Sequence, residues 1–142
     1  MSGNRLFLLY AFACAEDRLR VGLISQSDFE MLSALITSQS ASPTVEALER
    51  CFPKAVRNYL AWCKQYSKTP WTQESVTEYW RDYHGDRPDC AVHRALVLST
   101  NDELQVSVRG SKGVFFALNR YQLPLVPGDL VCIHRNFIVE KV

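Results

Sequence analysis

The feature that most constrains the fold is a change in hydrophobic period partway along the chain. In the first part, apolar residues recur every three or four positions, as amphipathic helices require. In the last third they alternate with polar residues, as in the run 104–109, which predicts half-buried strands. The segment between them collects turn-forming residues and a proline that cannot continue a helix. The sequence therefore predicts an α+β protein with a helical domain at 1–84, a linker at 85–89 and a β-domain at 90–142.

Local signals place the starts of the helices. Ser27-Asp28-Phe29-Glu30 has the form of a capping box, in which the serine hydroxyl and the glutamate satisfy free amides of the first turn. Ser42-Pro43 predicts a cap followed by proline at the first helical position. Pro53 and Thr72 are expected to begin two further helices. The apolar run 6–13, which continues amphipathically to Leu19, predicts a buried first helix rather than a secretion signal.

Five short strands are predicted in the β-domain, separated by tight turns. They cover residues 90–98, 104–109, 114–118, 130–134 and 137–142. Short strands at this spacing are typical of a small Greek-key barrel of the OB-like kind. Closure of such a sheet also protects edges that an open sheet would expose.

Composition excludes several classes of function. The formal net charge is +1, whereas nucleic-acid binders usually carry a basic face. The five cysteines are widely spaced and form no C-x-x-C pair, so neither a disulfide framework nor a structural zinc site is indicated.

No apolar stretch is long enough for a membrane span. With no phosphate-binding loop or nucleophile motif either, we expect a non-enzymatic protein of the cytoplasm.

One motif in the β-domain is more specific. The run from Val126 to Lys141 contains Gly128-Asp129, a histidine five residues later at His134, and Phe137 before a final Glu-Lys pair. Upstream, Cys90-Ala91-Val92 precedes an apolar strand. In these residues the segment 90–142 resembles the HypC/HupF family of nickel–iron hydrogenase maturation chaperones. The helical domain has no counterpart in that resemblance.

The resemblance implies a HypC-like barrel that carries iron without catalysing a reaction. Cys90 and His134 would be the metal-binding residues, holding a low-spin iron with cyanide and carbonyl ligands in transit. The partners implied are a HypD-like scaffold protein and the precursor of the hydrogenase large subunit. The chain departs from the family pattern because Cys90 is internal rather than N-terminal, and because Asn136 stands where the family has a glycine. Asparagine tolerates left-handed backbone, so the bend is expected to survive.

Two other classes of function remain open from the residues. One is an adaptor without metal, binding partners through Trp62, Trp71 and Trp80, although these aromatic residues are first interpreted as core. The other is a less favoured single-strand nucleic-acid binder, with stacking platforms at Phe115, Phe116 and Tyr121. Of the remaining candidate ligands, Cys132 is expected in the core, because the family that the segment resembles has an aliphatic residue there. Strand alternation places His93 at the solvent face.

Overall fold

The computed structural model describes residues 1–39, 41–84, 91–102 and 104–142. The chain divides into two compact units, Met1–His84 and Gly85–Val142. The predicted linker and Cys90 lie outside the described residues.

The first unit is helical. Its α-helices are α1 Gly3–Ala11, α2 Ala15–Arg20, α3 Gln26–Thr37, α4 Val45–Cys51, α5 Pro53–Gln65 and α6 Gln73–Glu78. A short 3-10 turn joins α1 to α2, and a π-helical turn, Tyr79–Tyr83, extends α6. Residues 6–12 are at most 3% exposed, so the prediction of a buried first helix is confirmed. Within the described residues, no helix has the length and apolar character needed to cross a membrane.

Two of the predicted caps are wrong by two residues. The cap of α3 is Ser25, whose hydroxyl accepts from the Asp28 amide at 3.0 Å, and not Ser27. The cap of α4 is Thr44, which accepts from the Ala47 amide at 3.1 Å, and not Ser42. Several hydroxyl residues in each segment satisfy the same local preference, so tertiary packing decides between them. The predicted starts at Pro53 and Thr72 are confirmed.

Aromatic side chains fill the core of the helical unit. The rings of Tyr10 and Trp80 stack with centroids 5.4 Å apart, and Phe7 packs edge-on against Trp80 at 5.2 Å. Trp62 is 6% exposed and Trp80 2% exposed. The interpretation of these residues as core is therefore confirmed.

A buried arginine ties the first helix to the end of α3. Arg5, 9% exposed, donates from its guanidinium to the carbonyl oxygens of Leu35 at 2.7 Å, Ala41 at 2.8 Å and Ile36 at 3.3 Å. The last carbonyls of a helix have no partner within it. Arg5 therefore satisfies the C-terminal end of α3 from a different helix.

The second unit is a closed sheet of five strands: β1 Val92–Thr100, β2 Gln105–Gly110, β3 Gly113–Leu118, β4 Leu130–His134 and β5 Phe137–Lys141. The order around the sheet is β1-β2-β3-β5-β4. All pairs are antiparallel except β3 with β5, which is parallel. The helices-first α+β architecture and the five closed strands agree with the prediction.

Small aliphatic side chains fill the interior of this sheet. They come from every strand, and they are Ala95, Val97, Val106, Val108, Ala117, Val131, Ile133 and Ile138. Alternate residues of β4, Val131 and Ile133, belong to this core. The period-two pattern of the sequence is thus the pattern of side chains that enter the interior.

We predict that Arg5→Met lowers the free energy of unfolding by about 2–4 kcal/mol, because three carbonyl oxygens, one buried and two partly buried, lose a charged donor. Arg20→Met is the matched control: Arg20 forms only a surface ion pair with Asp17, with a side chain that is 75% exposed, and pairs of this kind contribute little. Urea unfolding followed by circular dichroism measures both. Equal midpoints for the two variants would contradict the role assigned to Arg5.

Candidate functional site

Two residues with side chains that can bind a metal, Cys132 and His134, lie in the last three positions of β4. Cys132 and His134 are both 0% exposed. Neither belongs to the aliphatic interior formed by Val131 and Ile133. Because side chains alternate along a strand, Cys132 and His134 share the other face of β4. The expectation that Cys132 is buried is confirmed, and the imidazole of His134 is equally withdrawn from solvent.

The pairing of β1 with β4 sets the surroundings of His134. The register places Val92 opposite His134 and Arg94 opposite Cys132. The first residue of β1 therefore lies beside the last residue of β4. Cys90 precedes Val92 by two positions in the sequence and lies outside the described residues. The pairing of Cys90 with His134 at one metal site stays a prediction.

Three-ligand metal clusters are absent from the part of the chain that the structure describes: no group of three or more His, Cys, Asp or Glu residues has the required geometry. A metal at His134 would thus draw at most two ligands from these residues, with the rest supplied from elsewhere.

His93 occupies a different position from the one expected. It pairs with Ile133 in the β1–β4 register and is half-buried, with its ring 5.8 Å from that of Phe115. The prediction that His93 faces solvent is therefore wrong. Burial lowers the pKa of His93 below its ordinary value of 6.5, and the charges of Lys112 and His134 act in the same direction. His93 lies on the same face of β1 as Ala95 and Val97, whose side chains belong to the aliphatic interior, because side chains alternate along a strand.

The Gly-Asp part of the motif has a structural role in this fold. Gly128 has a φ of 97°, which a glycine adopts without strain. Its amide donates to the Val97 carbonyl at 2.9 Å, and the Val97 amide donates to the Asp129 carbonyl at 2.8 Å. The Asp129 carboxylate accepts from the Val126 amide at 2.9 Å and forms an ion pair with Lys141 at 3.2 Å. The hydrogen bond from Val126 lowers the pKa of Asp129 most, and the contact with Lys141 lowers it further.

The turn between β4 and β5 also differs from the sequence expectation. Arg135, with a φ of 58°, is the left-handed residue. Asn136 was expected to take that conformation in place of the family's glycine, and that expectation is wrong. The turn is nevertheless kept tight, since His134 pairs directly with Phe137. A two-residue turn of this kind needs positive φ at its first position.

Of the three stacking platforms predicted at Phe115, Phe116 and Tyr121, only Phe116 is exposed. Phe116 is 56% exposed. Phe115 packs against the aliphatic interior, and the Tyr121 ring lies 6.1 Å from that of Phe137. Exposed apolar side chains instead follow β3 itself, at Val114, Phe116 and Leu118. The alternation of these three residues was visible in the sequence, but their exposure was not.

The tryptophan surface proposed for an adaptor is not formed as expected. Trp62 and Trp80 are buried, and the rings of Tyr59 and Phe7 contact Trp71 at 5.1 Å and 5.4 Å. Partner binding through exposed indoles is therefore excluded for Trp62 and Trp80. An adaptor would have to use other residues.

We predict that His93 titrates below 6.5 in the folded protein, because its charged form is poorly solvated. The unfolded chain then binds the proton more readily than the folded one, so stability falls as the pH drops below 6.5. Asp28, Asp102 and Asp129 also have lowered pKa values, but their effect on stability falls at lower pH, because their ordinary pKa is 3.8. An NMR titration of the His93 ring proton measures the pKa directly. A value at or above 6.5 would contradict the prediction, and His93→Gln should flatten the pH dependence of stability in this window.

Comparison with known proteins shows no family model that matches this chain, and no curated protein with significant similarity to it.

Proposed function

We propose that the chain is a non-catalytic accessory protein for nickel–iron hydrogenase maturation. Its β-unit would bind partner proteins, and Cys90 with His134 would hold a low-spin iron bearing cyanide and carbonyl. The observation that supports this most is the β1–β4 register, which brings Val92 opposite His134. In that register Val92, the first residue of β1, lies beside His134, and Cys90 precedes Val92 by two positions in the sequence.

The topology supports an OB-like barrel as the scaffold for this function. Its strand order, β1-β2-β3-β5-β4, and the parallel pair of β3 with β5 are those of a five-stranded Greek-key barrel. Such small barrels serve as binding modules for larger partners. The partners proposed are a HypD-like scaffold that supplies the iron fragment and a hydrogenase large-subunit precursor that receives it.

Burial of His134 sets a condition for iron carriage. Its side chain is 0% exposed, so the residues around the imidazole would have to open for an iron fragment to reach it, and would then shield the fragment from water. Both proposed donors must lose a proton before they bind metal, so iron binding should weaken as the pH falls. Because the fragment brings its own diatomic ligands, a thiolate and an imidazole are enough to hold it.

A second candidate function is an adaptor that binds proteins without metal. It is favoured by the exposed apolar residues of β3, where Val114 is 61% exposed and Phe116 56% exposed. Exposed apolar side chains next to one another on a strand mark interaction sites on many proteins. In this case the Cys90 thiol would have no role.

Anaerobic co-expression with a HypD-like scaffold tests iron carriage directly. We expect the purified wild-type protein to contain iron and to show infrared bands of cyanide and carbonyl. Cys90→Ala should lose them. Cys132→Ala is the matched control, because it removes a buried thiol two residues from His134, and it should keep them. Thermal melting of each variant establishes that it is folded.

The absence of bands in the wild type would contradict iron carriage, and bands of equal strength in Cys90→Ala would contradict the role of Cys90 as a ligand. A pull-down with the same partners then separates the two functions. If Cys90→Ser binds the large-subunit precursor as the wild type does, and neither contains iron, the adaptor function is favoured.

A further inference from the structure

The β2–β3 hairpin determines which backbone groups of β3 are available to a partner. Its register pairs Val108 with Phe115, and the Asn119 amide donates to the Leu104 carbonyl at 2.6 Å. In an antiparallel pair, alternate residues turn their N–H and C=O groups toward the neighbouring strand. The odd-numbered residues of β3 therefore face β2. Val114, Phe116 and Leu118 direct their backbone groups to the opposite side.

Only one of those three residues meets another strand there. The pairing of β3 with β5 consists of Leu118 opposite Phe137, and the Leu118 amide donates to the Asn136 carbonyl at 2.8 Å. Within the described parts of the chain, no strand pairs with the outer side of Val114 or Phe116. We call the segment 113–117 the β3 edge.

Exposure and charge give the β3 edge a definite chemistry. Its outward side chains, Val114 and Phe116, are more than half exposed. The surrounding hairpin, residues 104–120, contains Arg109, Lys112 and Arg120 and no Asp or Glu. Arg109 lies directly opposite Val114 on β2. Among the described residues, an apolar strip whose outward main-chain groups pair with no strand is thus flanked by cations.

We propose that the β3 edge binds an extended acidic segment of a partner protein, which adds to the sheet as a further strand. The partner's backbone pairs with Val114 and Phe116, its apolar residues cover their side chains, and its carboxylates meet Arg109, Lys112 or Arg120. Strand addition of this kind takes affinity from main-chain hydrogen bonds and specificity from alternate side chains. The inference deepens the partner-binding part of the proposed function, on which it rests.

Two other occupants fit the same surface less well. Single-stranded nucleic acid needs successive stacking platforms, and here Phe116 is exposed while Phe115 packs inward. A second copy of this chain, paired edge to edge, would bring Lys112 and Arg120 of one copy close to the same cations of the other. Like charges placed opposite each other destabilise a strand pair. A peptide with carboxylates satisfies both the backbone groups and the charge.

Fluorescence anisotropy of three labelled hexapeptides tests the proposal on the purified full chain. The peptides alternate valine with glutamate, valine with lysine, and valine with glutamate carrying N-methyl groups on one backbone edge. We expect the acidic peptide to bind at least about tenfold more tightly than the lysine and N-methyl peptides, which corresponds to about 1.4 kcal/mol. In the bound state, hydrogen exchange at the Val114 and Phe116 amides should slow.

The matched variants are Val114→Pro and Val114→Ala. Proline removes the outward N–H and keeps the pairing with β2, since that amide does not face β2, whereas alanine keeps the N–H and shortens the side chain. We expect Val114→Pro to weaken binding of the acidic peptide about tenfold more than Val114→Ala does. Val126→Ser changes an equally exposed valine, 59% exposed, in a loop outside the edge, and should have no effect. An amide NMR spectrum shows whether Val114→Pro keeps the fold.

Several results would overturn the proposal. They are equal binding of the acidic peptide by Val114→Pro and Val114→Ala, equal affinity for the acidic and lysine peptides, or no binding of the acidic peptide. Tighter binding of oligothymidylate than of the peptide would assign the surface to nucleic acid, and a concentration-dependent dimer broken by Val114→Pro would assign it to a second copy. None of these results bears on the infrared bands, so the failure of this inference is distinguishable from the failure of iron carriage.

Discussion

The β-unit depends above all on the antiparallel pairing of β1 with β4. Five consecutive pairs, from Val92 with His134 to Leu96 with Leu130, join strands that are far apart in sequence. Without them, β4 and β5 would form a hairpin beside a three-stranded meander, and the aliphatic interior would be open to water. The hydrogen bonds of Val97 with the Gly128–Asp129 turn extend the same junction to the residues just before β4. Burial of apolar surface supplies the stability, and this pairing is what makes burial possible.

That constraint explains why one motif carries both structure and chemistry. Gly128 forms the turn that leads into β4, and Asp129 anchors it through Val126 and Lys141. These residues would be needed in any protein that closes its sheet in this way, so they are weak evidence for a particular function. His134 is different, because a buried imidazole is not required for a strand to end. The functional proposal therefore rests on His134 and Cys90 rather than on the whole motif.

The sheet closes through a single residue pair between β3 and β5, and the rest of β3 forms the β3 edge. Leu118 is the only residue of β3 that pairs with β5 among the described residues, which leaves the outer side of Val114 and Phe116 without a partner strand there. Unpaired edges promote unwanted association, and proteins usually cover or charge them. In this hairpin Arg109, Lys112 and Arg120 provide the charge. The same cations that discourage self-pairing select an acidic partner, so protection against aggregation and recognition have one physical origin.

The sequence by itself determined the types of element, the helices-first order and the positions of the five strands. These follow from hydrophobic period and from turn residues such as Gly113, which are properties of neighbouring positions. The tertiary structure alone decided which hydroxyl caps α3, since Ser25 and Ser27 are locally equivalent. It also decided the depth of His93 and His134 and the exposure of Phe116. Those properties depend on pairings between strands far apart in the chain, and a local pattern contains no information on which strand lies alongside which.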